Sequence, residues 1–303
     1  MLTSWRITTK RQYKTYLDKW CKFCQDRNKN PLIRDSNLVL EFLNVLFVNK
    51  CSYSAINTAR SALSSIFFHP PIGEHILIKR FMRAVYNDRP NLPRYNQIWD
   101  VSKVLKHLEQ LSPGKTLSLL QLSQKLATLM ALVTGQRSQT LSHFNLDDLV
   151  LSKNSAKFHV KTLLKHDSVY NKQGKIITLA AFPENKHLCV ATYLRQYINR
   201  TRDFRKSQYL FIGSQSPHSR VSSSTISRWV KSTLQKAGIN TEKYSAHSTR
   251  AASTSAASKS LDLGAVLAAA NWTNSSTFGR YYNKPLEDRD NSTAFGLAVL
   301  RSK

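Results

Sequence analysis

The period of the apolar residues changes once along this chain, and that change constrains the fold more than any other feature. Before residue 88 the apolar residues repeat at helical spacing. Tyr13, Tyr16, Trp20 and Cys24 recur at three- and four-residue steps between charged positions, which is one stripe of an amphipathic helix. A second apolar block, Leu38 to Val48, follows the turn-like Arg34-Asp35-Ser36-Asn37, where Ser36 or Asn37 is expected as N-cap. Ile56, Ala59, Leu63, Ile66 and Phe67 make a third stripe, stopped by His69-Pro70-Pro71-Ile72-Gly73, and Ile76, Phe81 and Val85 suggest a fourth helix. Then Asp88-Arg89-Pro90-Asn91-Leu92-Pro93-Arg94 interrupts the pattern with two prolines and reads as a basic linker.

Beyond the linker the periods mix. Helical patterns are expected at about 100–111, 116–133, 188–201, 223–237, 247–258 and 262–270. Alternating segments run over Leu146–Leu151, Phe158–Leu164 and Lys175–Phe182, the last two pairing across Asn171-Lys172-Gln173-Gly174, and a short strand is expected at Tyr209–Ile212. The strands are few and flanked by helices. The expected class is therefore mainly α with a small antiparallel β-sheet, in two domains: a helical one over 1–93 and a mixed one over 94–303.

The charge says what such domains meet. The chain of 303 residues has 45 Lys+Arg against 18 Asp+Glu, a net charge of +27. Self-repulsion on this scale opposes compaction, so a polyanionic partner, nucleic acid first, is implied. Residues 1–97 hold 16 Lys+Arg against 6 Asp+Glu and the remainder 29 against 12, so both domains are basic. No apolar run approaches the roughly 18–20 residues of a membrane span, and the charged start MLTSWRITTKRQYK is not expected to be a secretory signal. Cys21 and Cys24 form a CxxC with no second pair at zinc spacing, so a structural role in a reducing compartment is expected.

Three local patterns carry chemistry, in a fixed order. Thr134-Gly135-Gln136-Arg137 closes an apolar helix, with Gly135 placed to end it and Arg137 left at a turn. His247-Ser248-Thr249-Arg250 sets His and Arg on one helical face. Asn271-Trp272-Thr273 is followed, nine residues after the tryptophan, by Tyr281, with Tyr282 next to it. Each alone is weak. Together they resemble the tyrosine recombinases, or phage-type integrases, over nearly the whole chain. The wording of LVTGQRSQTL, LKHDS, HSTRAASTSAA and NWTNSSTFGRYY is closer still to the recombinases of DIRS-type retrotransposons.

That resemblance implies a helical core-binding domain and a catalytic domain closing on duplex DNA as a C-shaped clamp, with four protomers on two sites. The apolar Ala294–Leu300 would dock on a neighbour. It implies site-specific DNA cleavage and rejoining through a covalent 3′-phosphotyrosine, in the service of a mobile element and in the nucleus. The implied catalytic residues are Arg137, Lys165, His247, Arg250, Trp272 and Tyr281, with no metal and no cofactor. The chemistry agrees. Arginines grip non-bridging phosphate oxygens with paired N–H donors, as lysine cannot, and a phenol of pKa near 10 needs its proton removed as it attacks. By analogy His247 shuttles that proton, Trp272 donates its indole N–H to the phosphate, and Lys165 protonates the departing 5′-hydroxyl.

Some alternatives stay open. Lys161 competes with Lys165 because strand register is not readable to one residue. Tyr282 competes with Tyr281, the interval from Trp272 selecting the latter. Many relatives carry an acid three positions after the first arginine where this chain has Thr140, which implies weakened support for the site. A non-catalytic DNA-binding descendant, or an enzyme resembling a type IB topoisomerase, would share these motifs.

Overall fold

The computed structural model describes residues 5, 7–161, 175–270, 278–279 and 282–286. The chain divides into two compact units between Pro93 and Arg94. The first holds α1 (Ile7–Gln25), α2 (Ser36–Val48), α3 (Tyr53–Ile66) and α4 (Ile76–Asp88). Its core is built around Trp20, which is 1% exposed, meets Phe42 and Phe67 edge-on, and donates its indole N–H to the Pro31 carbonyl at 2.9 Å. The cap of α2 is neither Ser36 nor Asn37 but Asp35, whose carboxylate accepts from the Asn37 and Leu38 N–H groups. A carboxylate one residue earlier reaches both orphan donors, so the helix starts sooner than expected. In α4 the buried face is Ile78, Met82 and Val85. Ile76 is exposed, and Phe81 flanks that face against Phe47. The i, i+4, i+7 set won because it alone forms one continuous stripe.

The second unit holds α5 (Val101–Gln110), α6 (Leu119–Thr134), α7 (Ser138–Leu141), β1 (Leu149–Leu151), β2 (Ser155–Val160), β3 (Lys175–Ala180), α8 (Val190–Thr201), α9 (Ser223–Lys236), α10 (Ser248–Ala257) and α11 (Leu263–Ala270). This is the mainly helical class with one small antiparallel sheet, in the order β1-β2-β3. Phe158 pairs with Leu149 on one side and Ile177 on the other, and stacks on Phe144 at 4.3 Å. Ala156, Phe158, Val160, Ile177 and Leu179 point into the core, as alternation requires. The second strand begins three residues earlier than its expected start at Phe158. The expected hairpin turn at 171–174, and Lys165, lie outside the described residues.

The strand expected over Tyr209–Ile212 does not form. Leu210, Phe211 and Ile212 are buried, but the segment makes only isolated bridges, Asn145 to Tyr209 and Ile212 to Arg220. Apolar burial is the same signal in a strand and in a core-threading connection; here no neighbouring strand runs alongside for more than one residue pair.

Helix α6 is the axis of this unit. It is buried from Leu122 through Leu132, polar Ser123, Lys125 and Thr128 included, and packs against α8, α9 and α10. A capping box, Ser118 with Gln121, starts it and Gly135 in the left-handed region ends it. Among the described residues no helix is long and apolar enough to cross a membrane.

The ammonium of Lys125 lies within this core, donating to the Leu111 carbonyl at 2.7 Å and to Ser112 Oγ at 3.1 Å, 3.9 Å from the centre of the Tyr193 ring. Burial pushes its pKa from 10.5 down to about 7, against the pull of Glu109. The unfolded chain therefore takes up this proton well above the pH at which the folded chain does. Stability should rise with pH between about 7 and 10.5. Melting temperatures measured across that window should show the rise in the wild type and a flatter profile in Lys125→Met.

Candidate active site

The site is assembled on the end of α6 and the start of α10. The left-handed turn at Gly135 (φ 59°) reverses the chain, and Arg137 follows as the residue preceding α7. A Cβ at Gly135 has room, its nearest neighbours lying at 3.6 and 3.7 Å. Glycine is required there by conformation, not by space. Across from this turn, α10 has the sequence STRAASTSAA. Ala251 and Ala252 are buried, and such small side chains let its backbone come close to α6.

That approach lets Arg250 bridge two elements. The residue is 1% exposed. Nη1 donates to the Gly135 carbonyl at 2.6 Å, and Nη2 donates to the Ala270 carbonyl at the end of α11. Gln136 adds a bond from Nε2 to the Ala269 carbonyl at 3.0 Å. Side chains from the two arginine motifs thus tie down the last carbonyls of α11, which α11 cannot satisfy itself.

His247 stands exposed at the head of α10, its Nε2 3.2 Å from the Tyr282 hydroxyl and its ring edge-on to the phenol. The Tyr282 ring centre lies 5.7 Å from the Arg250 guanidinium carbon. The backbone around Tyr282 is anchored. Ser255 Oγ donates to the Tyr282 carbonyl at 2.5 Å and accepts from the Lys284 N–H at 3.1 Å. The Ile98 N–H donates to the Pro285 carbonyl at 2.8 Å. The start of α10 is fixed as well, through a buried bond of 2.8 Å from the Trp99 indole to Ser248 Oγ.

A cleft of about 230 Å³ opens between these groups, lined by Arg137, His247 and Arg250 together with Gln136, Ser223 and Ser227. Among the described residues lining it none is acidic. Burial, and next the Arg137 charge, lower Arg250 to about 10, while the hydrogen-bonded Tyr282 acts the other way. Arg250 remains a cation at neutral pH, and two like charges converge on one space. Such a space favours an anion with several acceptor oxygens.

A family model described as the phage integrase family matches residues 100–288, well over half of the chain and every described residue that lines the cleft. The chain belongs to the phage integrase family. No curated protein sequence matches it. Among solved structures it is similar to the XerH site-specific recombinase bound to palindromic difH substrate in a post-cleavage complex, with a TM-score of 0.61 and 18% identity over 89% of this chain and 73% of that one. A lambda integrase dimer bound to a COC′ core site gives 0.56 and 15% over 94% and 74%. The Tn1549 transposon integrase in complex with transposon right end DNA gives 0.57 and 14% over 88% and 86%. At these identities the likeness is one of fold.

Of the six residues expected to act in this tyrosine recombinase, Arg137, His247 and Arg250 come together in the cleft. Lys165, Trp272 and Tyr281 lie outside the described residues. Lys161 lies just past the end of β2 with its ammonium on the Asp148 carboxylate and its side chain largely in solvent. Thr140 is buried in α7. Sequence reasoning missed Ser255, Trp99 and Gln136 as supports of the site. Gln136 and Ser255 lay inside motifs already singled out; Trp99 carried no signal, because its partner is distant in sequence.

Arg250 should prove both structural and functional. Arg250→Lys, unable to reach both carbonyls, should cost about 2–3 kcal/mol of unfolding free energy in urea titrations. Gly135→Ala should cost about 1 kcal/mol by forcing a Cβ into the left-handed region. Arg137→Lys, on a half-exposed side chain, should stay within ~0.5 kcal/mol of wild type.

Proposed function

We propose that this chain is a site-specific recombinase that cuts and rejoins duplex DNA through a covalent 3′-phosphotyrosine. The observation that carries this reading is the convergence of Arg137, His247 and Arg250 on one cleft with no acidic residue among its described lining, the Tyr282 hydroxyl lying 3.2 Å from His247. The arginines hold the non-bridging oxygens of the scissile phosphate and offset the charge that builds on them in the transition state. A phenol from the Tyr281–Tyr282 pair attacks phosphorus and gives its proton to His247. The P–O5′ bond breaks, and Lys165 protonates the leaving oxygen; the ion pair of Lys161 with Asp148 favours Lys165 for this role. Trp272 donates its indole N–H to the phosphate. Because one phosphate ester replaces another, a 5′-hydroxyl of a second strand reverses the reaction and reseals the DNA without an external energy source.

The partner is double-stranded DNA, held by both basic units, the 1–93 unit serving as the core-binding domain. Four copies act on two sites, in keeping with a lambda integrase tetramer bound to a Holliday junction among the similar structures. The wording shared with DIRS-type elements supports a role in a eukaryotic transposable element and a nuclear location. Binding rests mainly on phosphate contacts and falls steeply with salt.

Incubation with a nicked suicide substrate carrying the cognate site should trap a covalent protein–DNA adduct. Arg137→Ala should slow its formation by roughly 10²–10³-fold while DNA binding, followed by mobility shift, persists. Binding without any adduct would leave a DNA-binding protein that does not cut. Relaxation of supercoiled DNA without recombination between two sites would instead mark a topoisomerase.

A further inference from the structure

Of the two adjacent tyrosines, Tyr282 is among the described residues, and its phenol meets the histidine of the cleft. We infer that Tyr282, not Tyr281, is the nucleophile of the reaction proposed above, and this inference rests on that reading. The spacing from Trp272 selects Tyr281, but spacing measures only distance along the chain. The geometry around Tyr282 is of another kind. Its hydroxyl lies 3.2 Å from His247 Nε2, the group that would take the phenolic proton. Its ring centre lies 5.7 Å from the guanidinium carbon of Arg250, one half of the phosphate clamp. An attacking atom must sit beside its base and near the oxyanion donors; this hydroxyl meets the base, and its ring faces the Arg250 guanidinium.

The main chain is built to keep it there. The Tyr282 N–H bonds to the carbonyl of buried Phe278 at 2.9 Å, one helical turn back. Its own carbonyl is held by Ser255, a residue of the same helix, α10, that carries Arg250 and follows His247. Downstream, Pro285 and Leu286 pair with Ile98. Nucleophile, base and the Arg250 half of the clamp are thereby referred to one element, which limits their relative displacement, as attack requires.

Another described phenol near this position is unsuited to the task. Tyr95 is pushed up to about 12, first by burial and then by Tyr282 and Tyr244, and its ring packs against Tyr244 at 5.2 Å. It is a wall beside the nucleophile, not a rival.

In the balanced step, the Tyr282 oxygen forms a new P–O bond as the P–O5′ bond breaks. The phenolic proton passes to His247, and the 5′-oxygen leaves as a hydroxyl after taking a proton from the general acid. No oxidant, reductant or further reactant is involved.

The test uses the full chain on a nicked suicide substrate, with adduct read by gel and by peptide mapping. Trypsin cuts after Arg280 and releases both tyrosines on one peptide, so fragmentation between them assigns the nucleotide to one residue. The wild-type peptide should carry it on Tyr282. Tyr282→Phe should lower adduct formation by at least ~10³-fold, the scale of losing a nucleophile, and Tyr281→Phe should stay within a few-fold of wild type. Nucleotide on Tyr281 in the wild-type peptide would overturn the inference while leaving the proposed function intact. A wild-type protein that binds DNA but forms no adduct overturns both. The wild-type mapping decides the matter even if either variant fails to fold.

Discussion

The buried guanidinium of Arg250 is the interaction on which the rest of the catalytic unit depends. It is a full charge in the protein interior, and among the described residues it donates to main-chain carbonyls, which offset the cost of burying it. Carbonyl dipoles stabilise the charge without cancelling it. A carboxylate partner would have neutralised the field at the cleft; the carbonyls leave the cation able to act on a bound anion. The same two bonds pin the end of α6 and the end of α11, so the cation at the cleft also determines where the helices meet.

Around that charge the supports form a second ring. Gln136 shares the work of holding α11, Ser255 holds the segment bearing Tyr282, and Trp99 holds the serine that follows His247. All of these are bonds to groups that would otherwise be left unsatisfied on burial. Small residues in α10 make the arrangement possible, because a bulky side chain at Ala251 or Ala252 would move the helix away from α6 and Arg250 out of reach of Gly135.

Most of the architecture was legible from periodicity. Strong stripes, such as that ending in Trp20 and Cys24, translated into helices, and alternation located the three-stranded sheet. The failures have physical causes. At Asp35 the cap was decided by side-chain reach, which spacing does not encode. In α4 the expected residues Ile76, Phe81 and Val85 do not share one continuous helical stripe, and the i, i+4, i+7 set of Ile78, Met82 and Val85 is the one that packs. At Tyr209–Ile212 an apolar run without lateral partners mimicked a strand. In the site, Arg137, His247 and Arg250 were readable from ordered motifs. The supporting bonds of Trp99 and Ser255 were not, since they join residues 149 and 27 positions apart. The position of the Tyr282 hydroxyl was equally hidden, because the direction of a side chain is a property of the folded chain.

The attachment of so much of the site to α10 has a mechanical consequence. His247 heads the helix, Arg250 lies in its first turn and Ser255 in its last. Small movements of this rod carry His247, Arg250 and the Ser255 anchor together, so their mutual distances change little. Alignment is disturbed only by bending within ten residues, a mode that a short, closely packed helix resists. Precision at the cleft thus comes from shared mounting, and it survives a scaffold that is itself free to move.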